Sequence, residues 1–251
     1  MISAREREDT TMGAETAWGR PELPPNTNYR EHRDRLITLG TDEVFGYIHR
    51  HNLWASDESV SGQGSEEAAT RRLRAAIPAL LREKGISSIA DVPCGDFGWL
   101  SGTDLGVEHY FGADIVPALV ERNRRRFAGD RPARRFEVLD LTVGPLPTVD
   151  LVLCRDCLVH LTFAQAIAAL RTIADSGARY LLTTTFPGLA VNVDAETGDW
   201  RPLNLQRPPF GFGEPDALIV EGCREGAGSY ADKALALWPV RALIPALDRA
   251  A

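Results

Sequence analysis

The amino-acid sequence predicts a doubly wound α/β fold, a mostly parallel seven-stranded sheet covered by helices on both faces and preceded by an N-terminal helical extension. Two observations carry that expectation. Between residues 86 and 185 short apolar runs alternate with segments of helical apolar spacing, the pattern of strands joined by helical crossovers. Several of those runs end on aspartate, and ligands of such sheets bind where the carboxyl ends of the strands meet. With 251 residues, 44% hydrophobic and 25% charged, the chain can bury one full core.

Residues 1–28 are polar and proline-rich around Arg20-Pro21-Glu22-Leu23-Pro24-Pro25, the composition of a flexible arm. Residues 29–85 form a helical N-terminal segment and a covering loop. Leu36, Leu39, Val44, Ile48 and Leu53 recur at helical spacing, and Ser65, followed by Glu66 and Glu67, is the expected N-cap of a helix that Gly85 ends. Residues 86–251 make the core. Its strands are expected at 86–92, 110–115, 134–139, 149–154 and 180–185, with helices over 117–128 and 163–175 and closing strands near 217–221 and 234–238. Residues 187–216, rich in proline and aromatics, are too long for a plain connector and are expected to carry recognition.

The formal charge of −7 argues against nucleic acid, whose partners usually show a basic face. The one basic run, Arg122, Arg124, Arg125, Arg126, Arg131, Arg134 and Arg135, reads as a solvated face at the end of a helix. Residues 1–13 are charged and lack the apolar stretch of a signal peptide, and no run is long enough to span a bilayer, so a cytoplasmic protein with no membrane partner is expected. Cys154 and Cys157 form a C-x-x-C, but Cys94 and Cys223 are not paired in a matching spacing, so no metal is expected. The oligomeric state is not legible.

The stretch IADVPCGDFGWL, residues 89–100, is a strand running into a glycine turn. Glycine at 95 lets backbone N–H groups approach a ligand. A dinucleotide fingerprint starting there would need glycine at 97 and glycine or alanine at 100; the chain has Phe97 and Leu100, which disfavours a pyrophosphate. YFGADI then places Asp114 at the tip of the second strand, and FEVLDLT places Asp140 after the third. DLVLCRDCLVHL puts polar residues after the fourth. Taken with SVSGQGS, TTTFP and GDWRPLNLQRPPF, these segments resemble a bacterial group of class I S-adenosylmethionine-dependent methyltransferases over roughly residues 55–240. Of that family's first motif, acidic-x-G-x-G-x-G, only Asp91 and Gly95 match, with Pro93 and Phe97 in the other glycine positions.

The resemblance implies a Rossmann-like domain, S-adenosylmethionine as cofactor and methyl transfer to an oxygen or nitrogen of a small-molecule acceptor, in secondary metabolism or on a sugar intermediate. It also implies that Asp114 accepts the ribose hydroxyls and that Asp140 lies near the adenine. Asp91, Pro93, Cys94, Gly95, Ile115, Leu141 and Cys154 belong to the cofactor-lining segments, with Cys94 and Cys154 as packing residues, since a sulfonium donor needs no covalent enzyme intermediate. Phe97 and Trp99 either bound the cofactor or are core aromatics. Ser61 and Gly62 precede a helix and offer donors for a carboxylate, or form a mobile loop. His160 is the candidate base, or only a contact; Arg155 and Asp156 orient substrate or pair with each other. For the acceptor, the expected contacts are Phe186, Trp200, Arg201 and Asn204, with Arg201 clamping a carboxylate or pairing with Asp199 or Asp194. A nicotinamide-dependent oxidoreductase and a non-catalytic nucleoside-binding subunit are the rival readings.

Overall fold

The structure, a computed structural model, describes residues 29–130 and 132–249; the arm expected at residues 1–28 lies outside the described residues, as does Arg131 of the basic run. The chain opens with two helices, α1 (Tyr29–Leu36) and α2 (Thr41–His51). Glu43 accepts a hydrogen bond from the Gly40 N–H at the start of α2, and Asn52 ends it in the left-handed conformation. Their apolar stripe packs Tyr29, Leu36, Val44, Tyr47, Ile48 and Leu53 into one cluster.

The next helix, α3 (Glu67–Glu83), is capped by Glu66 and not by Ser65. Ser65 closes a short 3-10 turn, Gln63–Ser65, and its hydroxyl lies 3.4 Å from the Arg155 guanidinium, so the side chain that reads as a cap serves a long-range contact. Thr70, Leu73, Ile77, Leu80 and Leu81 bury one face of α3. Gly85 ends it with φ +61, donating to the Arg82 carbonyl while Ile86 reaches back to Leu81.

The strands are β1 (Ser88–Asp91), β2 (His109–Asp114), β3 (Gly129–Asp130), β4 (Ala133–Val138), β5 (Leu151–Cys154), β6 (Tyr180–Thr185), β7 (Ala217–Val220) and β8 (Ala234–Pro239). They form one eight-stranded sheet in the order β3-β4-β2-β1-β5-β6-β8-β7. That is one strand more than expected: β3 is two residues paired antiparallel with β4, too short to leave a periodic signal. The pairs β1–β2, β1–β5, β2–β4 and β5–β6 are parallel, whereas β8 runs antiparallel to both its neighbours. The order makes this a Rossmann-like doubly wound sheet. Winding proceeds outward from β1 to β4 and then restarts at β5 on the other side of β1, so the crevice lies at the ends of β1 and β5.

Side chains alternate across the central strands, which explains the two cores. Ala90, Val152, Leu181 and Ala236 face one side and meet Ala166, Leu170 and Ile173 of α6 (Phe163–Asp175). Ile89, Leu151, Leu153, Leu182 and Leu235 face the other and meet Leu73, Ile77 and Leu81 of α3. Each fully buried leucine contributes about 1.5–3 kcal/mol over its exposed state. The remaining helices are α4 (Gly98–Ser101), α5 (Pro117–Phe127) and α7 (Ile244–Arg249). Among the described residues no helix is long and apolar enough to cross a membrane.

Candidate active site

A cleft opens at the carboxyl ends of β1, β2, β4 and β5 and is roofed by α2 and the strap at residues 54–65. Its floor is the turn after β1. Cys94 donates its N–H to the Ala113 carbonyl at 2.8 Å, and Asn123 of α5 donates its side-chain N–H to the Gly95 carbonyl at 2.7 Å. Gly95 has φ +53, and a Cβ there would lie 2.1 Å from the Ser61 hydroxyl, so any other residue would be strained and would displace Ser61.

Asp114 accepts the Gly95 N–H at 3.1 Å and the Val116 N–H at 2.9 Å, one on each oxygen. Burial raises its carboxyl to about pKa 6 against the pull of those two bonds. Asp91 accepts the Tyr110 hydroxyl, yet burial lifts it to about 7. Asp140 holds an Asx turn, accepting the Thr142 N–H at 2.8 Å and hydroxyl at 2.7 Å. All three acids line the cleft.

The strap is fastened by a residue that sequence reasoning passed over. Asp96, 2% exposed, accepts the Ser59 hydroxyl at 2.8 Å, the Val60 N–H at 3.2 Å and the Gly98 N–H at 2.9 Å. Ser61 returns the contact by accepting the Asp96 N–H. Asp96 reads in sequence as one more turn aspartate; only the fold shows which loop it ties down.

After β5 the chain supplies Arg155, Asp156 and His160. Arg155 is buried, donating to Glu221 at 2.7 and 3.3 Å and to the Gly64 carbonyl at 2.8 Å, with Trp99 5.3 Å from its guanidinium. Asp156, in the left-handed region at φ +49, meets Lys233 at 2.7 Å and Arg155 at 3.3 Å. Burial opposes its ionisation, but those two cations hold its carboxyl well below the usual range. Asp156 and Arg155 therefore pair with each other, as one of the two expectations held, and also with Glu221 and Lys233, which have no local signature in the sequence.

His160 ends the 3-10 turn Leu158–His160. Its Nδ1 lies 3.0 Å from the Asp199 carbonyl. A carbonyl only accepts, so Nδ1 carries the proton and Nε2 keeps its lone pair. Burial pushes the imidazole down to about pKa 4, and it is neutral near pH 7. Trp54 lies beside it, ring centroids 5.0 Å apart.

Of the residues expected from sequence, the cleft brings together Ser61, Asp91, Pro93, Cys94, Gly95, Trp99, Asp114, Ile115, Asp140, Leu141, Arg155, Asp156 and His160. Phe97 lies elsewhere, in an aromatic cluster with Tyr110, Phe127 and Phe136. Cys154 is wholly buried in the sheet core, and Gly62 packs against Trp54 within the strap, outside the cleft lining. The acceptor contacts expected from residues 187–216 are engaged in holding that segment. Arg201 donates to the carbonyls of Leu158 at 2.7 Å, Leu161 and Val193, with Asp194 3.9 Å away. Asn204 donates to Pro187 and Leu189, and Trp200 packs against Phe186 and Tyr230. The walls that sequence reasoning missed are Thr41, Phe45 and His49 of α2 and Trp54. Thr41, Phe45 and His49 recur every four residues along α2, a spacing that reads as packing, and nothing local shows that this face of the helix and Trp54 cover the strand ends.

Neither a family model nor a curated protein matches the chain. Among solved structures, the SAM-bound magnesium protoporphyrin IX methyltransferase of Synechocystis overlaps with TM-score 0.46 at 17% identity, over 62% of this chain and 81% of that one. The N-methyltransferase NodS of Bradyrhizobium japonicum, with S-adenosyl-L-homocysteine, gives 0.46 at 14% identity over 58% and 73%. An amino pentose methyltransferase of Micromonospora echinaspora gives 0.42 at 23% identity over 53% and 64%. In its SAH-bound form the Synechocystis protein is matched over 58% of its length. Overlaps of this size leave the functional reading to the residues themselves.

Proposed function

We propose that the chain is an S-adenosylmethionine-dependent methyltransferase acting on an oxygen or nitrogen of a small molecule. One observation carries the reading: Asp91, Asp114 and Asp140, from the ends of three neighbouring strands, line one cleft, and Asp114 accepts the N–H of Gly95 in its floor. A cleft lined by three acids is ill suited to a dinucleotide diphosphate, and the turn lacks the glycines a pyrophosphate needs. The acids suit a ligand with a diol, an ammonium group and a positive sulfur. Buried acids with raised pKa values are stabilised when such donors and cations reach them.

The residues present fit that group. Asp114 would take the ribose hydroxyls, Asp140 and Leu141 the base, and the Pro93–Gly95 turn with Asp91 the amino-acid end, under Ser61 of the strap. When bound, the cofactor supplies an electrophilic methyl carbon on a sulfonium. The chain's own work is to align an acceptor with that carbon, exclude water with the strap, and take the acceptor's proton on His160 Nε2.

Calorimetric titration of the full chain with S-adenosyl-L-homocysteine, S-adenosylmethionine and NADH tests the reading. The first two bind with micromolar affinity, NADH does not, and D114A weakens both nucleosides by about tenfold or more. Heat from NADH alone would replace the reading with the oxidoreductase one. No heat from any of the three removes the nucleoside site.

A further inference from the structure

Between α2 and the Leu158–His160 turn the cleft is walled by rings. Phe45 and Trp54 lie 6.4 Å apart, centroid to centroid, and Trp54 and His160 5.0 Å apart at 35°. All three are half-buried and line the cleft, so part of each ring faces it. The fixed charges nearby cancel one another. Arg155 spends its donors on Glu221 and the Gly64 carbonyl, and Asp156 is matched by Lys233 at 2.7 Å. Arg201, the expected carboxylate clamp, is bound to backbone carbonyls. Neither an anionic nor a cationic acceptor finds an uncommitted counter-charge among these groups, whereas a flat uncharged ring finds faces to stack on.

Resting on the methyl-transfer reading, we propose that the acceptor is a neutral planar ring bearing a hydroxyl of phenolic acidity, packed against the cleft-facing sides of Trp54 and Phe45 with its oxygen toward His160. The ring oxygen bonds to the methyl carbon as the carbon–sulfur bond breaks; the sulfur keeps that electron pair and becomes a neutral thioether, and the hydroxyl proton passes to His160 Nε2 and on to solvent. Acidity sets the class of hydroxyl. Burial makes His160 a weak base, which suits the more acidic hydroxyl of an aromatic ring over that of an aliphatic alcohol.

The test uses the full chain saturated with S-adenosyl-L-homocysteine and measures binding of phenol, cyclohexanol, benzoate and benzylamine by saturation-transfer NMR. Phenol is expected to bind about tenfold more tightly than each of the other three, a preference that W54L and F45L each reduce. Two variants are used so that a folding defect in one does not decide the matter. Equal binding of cyclohexanol, benzoate or benzylamine, a preference unchanged in both variants, or no binding of any probe at about 10 mM overturns the proposal. If the homocysteine nucleoside itself fails to bind, the methyl-transfer reading falls, and the same four probes on the free chain still decide whether the aromatic wall prefers a neutral flat ring.

Discussion

At the scale of single residues, Asp91 and Asp114 are cleft acids whose pKa values burial raises. Each is held in the cleft wall by burial with a folded pKa above its ordinary value, about 7 and about 6. A carboxyl of this kind binds its proton more tightly in the folded chain than in the unfolded one. Its stabilising contribution is full below about pH 4 and is lost as pH rises through the folded value. The stability of the ligand-free protein relative to D91N should therefore fall, by on the order of 3 kcal/mol, between pH 4 and pH 8. Urea unfolding of both proteins across that range reads it; a difference that grows with pH would mean Asp91 is ionised and paired instead. His160 runs the other way: its lowered pKa favours the folded chain at high pH, with the loss coming as pH falls from about 6.5 through about 4. The comparison with D91N cancels that contribution.

At the scale of elements, the two loops over the strand ends differ in how they are held. The strap at 54–65 is tied by the buried Asp96 carboxylate and the Asp96 N–H, by Arg155 through Gly64 and Ser65, and by Ser56 donating to Glu66. Residues 187–216 are held by many bonds: Asn192 donates to the carbonyls of Asn204 and Pro208, Asn204 to Pro187 and Leu189, and Arg201 to Leu158 and Leu161. Trp238 of β8 anchors the end of the segment through the Gly213 carbonyl at 2.9 Å. This long segment is a brace for the His160 turn, since Gly198 also donates to the His160 carbonyl and Arg201 to that of Val159. R201A is expected to lower stability by about 2–4 kcal/mol by leaving buried carbonyls unpaired, while affinity for S-adenosyl-L-homocysteine stays within a few-fold. Denaturation together with calorimetry separates the two. A large loss of affinity at unchanged stability would return Arg201 to the cleft.

At the scale of the molecule, Arg155, Asp156, Glu221 and Lys233 draw the strap, the β5 loop, the end of β7 and the start of β8 to one point. Glu221 and Lys233 are 4% and 5% exposed, so each charge depends on its partners. K233M leaves Asp156 and Glu221 sharing one buried guanidinium and should cost about 3–5 kcal/mol. R125A, which removes the exposed i,i+4 pair with Glu121, should leave the melting temperature unchanged within error. Thermal unfolding of the two variants side by side checks the contrast; equal effects would mean that the buried cluster is not tightly coupled.

How much was legible follows from the range over which each signal acts. The sequence by itself determined the alternation of strands and helices, the extents of α5 and α6, and the acids at strand ends, because period, turn chemistry and strand termini are local properties. Ser65 misled for the same reason: a local rule for caps cannot know that Arg155 lies within reach. Tertiary structure alone decided that α2 and Trp54 roof the cleft, that Glu221 and Lys233 complete a charge cluster, and that Arg201 braces backbone. Those contacts join residues 40 to 90 positions apart or more, and only the winding of the sheet brings them together.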